Sequence, residues 1–286
     1  MIPPRQPPPT RSLPASVTSP YSPGREVETK PDQLVVIVSD VHGTFYTLVR
    51  LLNQVVAKYP GAQLVLNGDL IDRGPNSRKV VEFAMDNSVP NVLGNHCDLA
   101  LAYSAHSRLG YKARCSSYYD RDVWLWNGGE ATLDNWPRYR TMENDNVPFQ
   151  DGCEVPTGVL DWMQQLPAYL TFPSAPVDER GLKLLCTHNG HGLVANQGDW
   201  YHALWARDID FPKDGWFRVF GHSPVKTAQI TETFAAIDTG AAYSDRGGGN
   251  MTAFIWPTKE TIVIPYDEDP MVIPAFTAPN GVLIPI

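Results

Sequence analysis

Five short polar segments, each placed directly behind an apolar run, constrain this chain more than any other feature. They are Asp40-Val41-His42-Gly43, Gly68-Asp69-Leu70-Ile71-Asp72-Arg73-Gly74, Gly94-Asn95-His96, His188-Asn189-Gly190 and Gly221-His222. The runs before them, 34–38, 63–67, 91–93, 182–186 and 217–220, are short and mostly apolar, as buried strands are. Behind the first segment, Phe45, Leu48, Leu52, Val55 and Tyr59 recur at intervals of three and four, which predicts an amphipathic helix ended by Pro60-Gly61. A second helix is expected over 75–85 and a short one over 159–166, with a hairpin near 235–237 and 251–256. Strand, helix, strand, repeated, predicts parallel pairing with right-handed crossovers. The carboxyl ends of strands in an open α/β sheet line a crevice, so the five segments are expected to meet there.

What would meet is two Asp, one Asn and three His, with a fourth His and an Arg beside them. Carboxylate, amide oxygen and imidazole together suit Mn, Fe or Zn; an all-oxygen set would point to Mg or Ca. The flanking glycines permit tight turns and close approach of backbone to the site. Each segment alone has a plainer reading, since Asp-x-His can be a helix cap and Gly-Asn-His a turn. Five in order, each behind a strand, are not separate accidents.

Composition narrows the function classes. The chain has 286 residues, 43% of them apolar, and a formal charge of −8. It is long enough to bury a sizeable core, and its acidity argues against nonspecific nucleic-acid binding. No run of about 18 apolar residues predicts a membrane span. Cys97, Cys115, Cys153 and Cys186 form no CxxC pair, which fits reduced thiols and a cytoplasmic setting. Residues 1–32 contain nine prolines and read as a disordered proline-rich tail; 33–266 read as the folded domain and 267–286 as a C-terminal arm.

In SDVHG, NGDLIDRGP, LGNH, CTHNG and FGHSP the chain resembles the metallophosphoesterase superfamily, in particular its phosphoprotein phosphatase branch. Residues 126–133, which open with Trp126-Asn127-Gly128-Gly129, the segment from Ala236 to Trp256 and residues 160–167 resemble bacterial and phage protein phosphatases of that branch. The resemblance implies an α/β (α+β) fold, a two-sheet β-sandwich flanked by helices with a dinuclear metal site at one edge. It implies two divalent ions, with Mn favoured over Fe or Zn. Asp40, His42 and Asp69 would hold the first ion; Asp69 would bridge to the second, completed by Asn95, His188 and His222. His96 would be the general acid, held by Asp72, and Arg73 and Arg207 would grip phosphate. The implied activity is hydrolysis of phosphomonoesters, on phosphorylated proteins or small phosphoesters, by direct in-line attack of a metal-bridging hydroxide. A dinucleoside tetraphosphate hydrolase is the alternative, ranked second because those enzymes tend to vary Asp-Arg-Gly and lack the Trp-Asn-Gly-Gly segment. An inactive binding module ranks lower, because every ligand is present. One departure stands out: Cys97 follows His96 where the family has an acidic residue, displacing the acid to Asp98.

Other conspicuous residues have bland readings. His191 could rival His188, but only His188 follows the strand directly. His106 and His202 are expected at the surface or in packing, and Cys97 as a buried inert thiol. Asp208, Asp238 and Asp245 read as solvated, capping or turn residues, and Asp32 and Asp267-Glu268-Asp269 as solvated tail. Trp124, Trp126, Trp136 and Trp205 read as core or groove wall. Oligomeric state and physiological substrate carry no sequence signal.

Overall fold

The computed structural model describes residues 22–107, 121–136, 155–243 and 249–270, plus two short strands, Phe276–Thr277 and Leu283–Ile284, that pair antiparallel. Cys115, Cys153, Asp245, the side chain of His106 and tail residues 1–21 lie outside the described residues.

Ten strands build two sheets. In chain order they are β1 (Gly24–Glu26), β2 (Val35–Val38), β3 (Gln63–Leu66), β4 (Tyr169–Thr171), β5 (Lys183–Thr187), β6 (Trp216–Phe220), β7 (Gln229–Ile230), β8 (Phe234–Ala236), β9 (Asn250–Trp256) and β10 (Glu260–Pro265). The larger sheet runs β1-β4-β5-β6-β8-β7 and the smaller β10-β9-β2-β3. β2 pairs parallel with β3, and β5 parallel with β6, so the segments behind these four strands leave in matching directions.

Burial on both faces explains the continuous apolar runs. Val35 and Ile37 of β2 join Val65, Phe254 and Trp256 against Leu170, Leu184, Cys186, Phe217 and Val219 of the facing sheet. Phe217 stacks on Phe254 with ring centroids 5.8 Å apart. Val36 and Val38 point the other way, onto Leu48, Leu51, Leu52 and Val55 of helix α1 (Phe45–Lys58) and Val80 of α2 (Ser77–Asp86). The sandwich flanked by helices is the expected fold.

Several expectations need correction. Order begins before residue 33, because β1 adds to the edge of the large sheet beside β4 and Val27 is buried. The strand expected at 91–93 shrinks to one bridge, Leu66 to Asn91: Pro90 has no N–H to donate, and the chain turns at once into α3 (Asn95–Ser107). Segments 235–237 and 251–256 form no hairpin. β8 lies in the large sheet and β9 in the small one, where β9 is central between β2 and β10.

The acidic run is not a solvated tail. Glu268 accepts from the backbone N–H groups of Tyr46 (3.3 Å) and Thr47 (2.8 Å) in the first turn of α1, which has no side-chain cap of its own. It also accepts from Asn76 Nδ2 at 2.8 Å, and Asp267 pairs with Arg50 at 3.1 Å. One carboxylate thus ties together the chain following His42 and the chain following Arg73. Glu268→Ala should lower stability by about 1 kcal/mol, the usual cost of a lost cap, read as a shift of the urea midpoint at unchanged slope; no shift would show the bonds to be idle.

Candidate metal centre

Four of the five polar segments follow a strand, as the sequence predicts; the third, Gly94-Asn95-His96, follows no strand and opens a helix instead. Asp40 and His42 follow β2, Asp69, Asp72 and Arg73 follow β3, Asn95 and His96 open α3, His188 follows β5 and His222 follows β6. Six of these residues have left-handed backbone: Asp40 (φ 49°), His42 (45°), Asp69 (45°), Asp72 (76°), Arg73 (68°) and His222 (65°). Such conformations are costly for side-chain-bearing residues and cluster where function demands them. Two glycines make room. A Cβ on Gly94 would overlap the Asp69 carboxylate, and one on Gly221 would overlap the Asp40 carboxylate and Ser39 hydroxyl. Gly221→Ala should therefore displace Asp40 and weaken divalent-metal binding at least about 10-fold with the far-ultraviolet spectrum unchanged; calorimetric titration with Mn²⁺ checks it, and wild-type affinity would refute it.

Asp69 stands between two groups. Its Oδ2 lies 3.7 Å from His42 Nε2 and 3.9 Å from His96 Nε2 on one side, and 3.4 Å from His188 Nε2 on the other. Around His188 the acceptor atoms crowd: Nε2 is 2.8 Å from Asn95 Oδ1 and 3.1 Å from His222 Nδ1, and these last two are 2.8 Å apart. Asp40 sits differently. Both its oxygens accept from the His222 backbone N–H, at 3.1 and 3.0 Å, and Ser39 donates to it. Its charge is felt together with those of Asp69 and Asp238. Backbone carbonyls orient the rings. His42 Nδ1 faces the carbonyl of Ile71 at 2.7 Å, and His188 Nδ1 that of Asn67 at 3.4 Å, which leaves both Nε2 lone pairs toward Asp69.

Burial explains what this cluster lacks. It pushes the imidazoles of His42, His188 and His222 below their ordinary range, so they are neutral. Burial, then Asp238 and Asp69, push Asp40 well above the carboxylate range. Neutral imidazole nitrogens and an amide oxygen within about 3 Å, with carboxylates beside them, present lone pairs to one another with too few protons between. Separations of 2.8–3.7 Å match the edges of coordination polyhedra with bonds of about 2.0–2.2 Å. The residues fit divalent cations.

Beside the cluster, His96 Nδ1 bonds the Asp72 carboxylate at 2.6 Å. Asp72 also accepts from the Trp124 indole (2.9 Å) and the Thr132 hydroxyl (2.7 Å). Burial raises its carboxyl to about 7 against the effect of these donors and Arg73, and lowers the His96 imidazole to about 3. Arg73 reaches His42 and, at 2.9 Å, His96 Nε2, while its backbone N–H donates to the carbonyl of Gly128 at 3.1 Å. Arg207 lies along the other rim, donating to the His222 carbonyl (3.2 Å) and Ser223 hydroxyl (3.1 Å). Its charge reaches His96, His188 and His222.

Sequence reasoning assigned no role to Trp124, Thr132 or Asp238. Trp124 and Thr132 come from helices α4 (Arg121–Trp124) and α5 (Glu130–Asn135), joined by a π turn over Leu125–Gly129. Thr132 was within the segment of resemblance, but its partner lies 60 residues away. Asp238 follows β8 as the other polar groups follow their strands, and that signal could have found it. It is buried beside Asp40, not solvated, although its carboxylate caps the Gly240 N–H at 2.9 Å as a turn residue does. Cys97 is buried, with its thiol pushed far up by desolvation, as an inert cysteine should be. Trp124 and Trp136 are core, but Trp126 is 71% exposed. His191 is turned away from Asp69 toward Asp208.

The sequence profile of the calcineurin-like phosphoesterases matches residues 34–249. Bis(5'-nucleosyl)-tetraphosphatase PrpE of Halalkalibacterium halodurans is 26% identical over 80% of this chain and 92% of its own length. Serine/threonine-protein phosphatase 1 of Salmonella typhimurium is equally similar, 26% over 80% of this chain and 94% of its own. A crystal structure of a protein provisionally named a diadenosine tetraphosphatase superposes with a TM-score of 0.51 at 20% identity, covering 84% of this chain and 97% of that one.

Proposed function

The chain belongs to the calcineurin-like phosphoesterase family, and we propose that it is a metal-dependent phosphatase acting on phosphomonoesters, foremost phosphoserine, phosphothreonine or phosphotyrosine in proteins. Asp40, His42 and Asp69 would hold one divalent ion and Asp69, Asn95, His188 and His222 a second, with Mn the favoured metal. Such a pair supplies Lewis acidity, lowering the pKa of water and neutralising phosphate charge.

The chain's own residues do the rest. Arg73 and Arg207 bind and orient the phosphate from two rims, and their charge opposes what builds on its equatorial oxygens. A bound phosphate dianion engages Arg73 and favours the imidazolium that burial and Arg73 disfavour in the free site, so that His96 Nε2 gives a proton to the departing oxygen while Asp72 fixes the ring through Nδ1. Trp124 and Thr132 hold Asp72 in turn, so the ring has one orientation.

The observation that carries the reading is the placement of Arg73. Its guanidinium touches both His42 and His96, and its backbone is braced by Gly128 of the Trp-Asn-Gly-Gly segment. A terminal phosphate dianion is the ligand that such a donor beside an acid suits best. Relatives named for cleaving nucleosyl tetraphosphates support the alternative, phosphoanhydride cleavage, to an equal degree of identity. A panel of p-nitrophenyl phosphate, a phosphopeptide and diadenosine tetraphosphate, assayed with Mn²⁺, decides between them. Turnover of the two monoesters is expected; cleavage of the dinucleotide alone would overturn the proposal. Among the described residues no helix is long and apolar enough to cross a membrane.

A further inference from the structure

A second cluster of metal-ligating side chains lies outside the centre just described. His191 ends the loop that carries His188, His202 lies on the short helix α7 (Trp200–Trp205), which follows α6 (Thr157–Met163), and Asp208 directly follows Arg207. His191 Nε2 is 3.2 Å from Asp208 Oδ2 and 2.9 Å from the Asp208 backbone carbonyl oxygen. His202 Nε2 is 3.8 Å from Asp208 Oδ1. The two rings meet edge to face with centroids 4.5 Å apart.

We propose that His191, His202 and Asp208 form a separate divalent-metal site of the zinc type. At 3.8 Å, His202 aims at the carboxylate without hydrogen-bonding it, so an ordinary imidazole–carboxylate bond does not explain its placement. One carboxylate instead turns its two oxygens to two different imidazoles. Tetrahedral zinc with bonds of about 2.0–2.1 Å has ligand–ligand edges of about 3.3 Å. The separations of 3.2 and 3.8 Å run to different oxygens of Asp208. One carboxylate oxygen and the two imidazole nitrogens nevertheless all lie within 4.8 Å of one another, close enough to contract onto one ion. That ion would displace the proton that His191 Nε2 gives to the Asp208 carbonyl. Two imidazoles and a carboxylate select a borderline ion over Mg or Ca.

The frame is prearranged. Asn189 Nδ2 donates to the carbonyls of His202 (2.9 Å) and Ala206 (3.1 Å), clamping α7 and the Arg207 segment to the His188 loop. The same residue's Oδ1 accepts from the His191 N–H at 3.0 Å, and Asp199 caps α7 through the His202 N–H. His191 is buried, whereas the side chains of His202 and Asp208 are 41% and 56% exposed, so they can close on an ion and leave its fourth position to water. An ion there would fasten Arg207 to the loop that bears His188.

Zinc stoichiometry of the full chain, with and without the central site, tests this. Asp69→Asn protein should retain one Zn²⁺ after dialysis, and Asp69→Asn/His202→Ala none. Asp208→Asn, at an exposed position, should repeat the loss if His202→Ala proves misfolded. With Co²⁺ in place of zinc, the intense visible bands of a tetrahedral site should vanish in the same variants. Equal zinc with and without His202 and Asp208 would overturn the proposal. Metal loss from wild type that leaves this difference intact would instead count against the paired centre.

Discussion

Asp69→Asn protein is expected to lose its centrally bound metal and nearly all turnover, a fall of about 10³-fold or more at any Mn²⁺ concentration it tolerates. Asp69 is the one residue facing both groups of ligands, with the same oxygen 3.7 Å from His42 and 3.4 Å from His188. Its other oxygen accepts from the His96 backbone N–H at 3.0 Å, which fixes the carboxylate across the gap. An amide keeps the shape but removes the shared negative charge, and one of its two positions becomes a donor aimed at lone pairs. Water without the metals' Lewis acidity has a pKa higher by about 8 units, far beyond what the flanking side chains replace.

The same substitution has a second expected sign. Without metal, Asp40, Asp69 and Asp238 place carboxylates together in a buried setting, and two of them are pushed upward by burial. Neutralising one relieves repulsion, so metal-free Asp69→Asn should be at least as stable as metal-free wild type. Thermal unfolding in chelator checks this. A stable variant that binds no metal isolates the role of Asp69; a destabilised one would show that the residue holds up the fold instead.

How legible these features were depends on whether their cause is local. β2 and β3 were readable because burial on both faces leaves unbroken apolar runs, and α1 because its one buried face repeats with the helical period. The metal-facing residues were readable because strand ends force them together, so position behind a strand encodes position in space. β1 was missed because three residues in a proline-rich stretch gain their order only from the edge of β4. Trp124, Thr132 and Glu268 were missed for the same physical reason. Each acts through partners between 52 and 222 residues away, and no pattern in a short window records such a pairing. Asp208 looked solvated because it is, but the histidines that face it arrive from two other elements.

His96→Asn should separate binding from proton transfer. Metal content should match wild type, because His96 Nε2 lies 3.9 Å from Asp69 Oδ2 and the ring is engaged instead by Asp72 and Arg73. With a phosphopeptide, whose serine alkoxide is a poor leaving group, kcat should fall about 10²–10⁴-fold. With p-nitrophenyl phosphate, whose leaving group needs little protonation, the fall should be under about 10-fold. That contrast distinguishes an acid from a residue that only shapes the pocket, which would depress both substrates alike. Trp124→Phe removes one of Asp72's donors without touching the ring and should show the same contrast in weaker form. Full activity of His96→Asn on the phosphopeptide would show that His96 is not the proton donor.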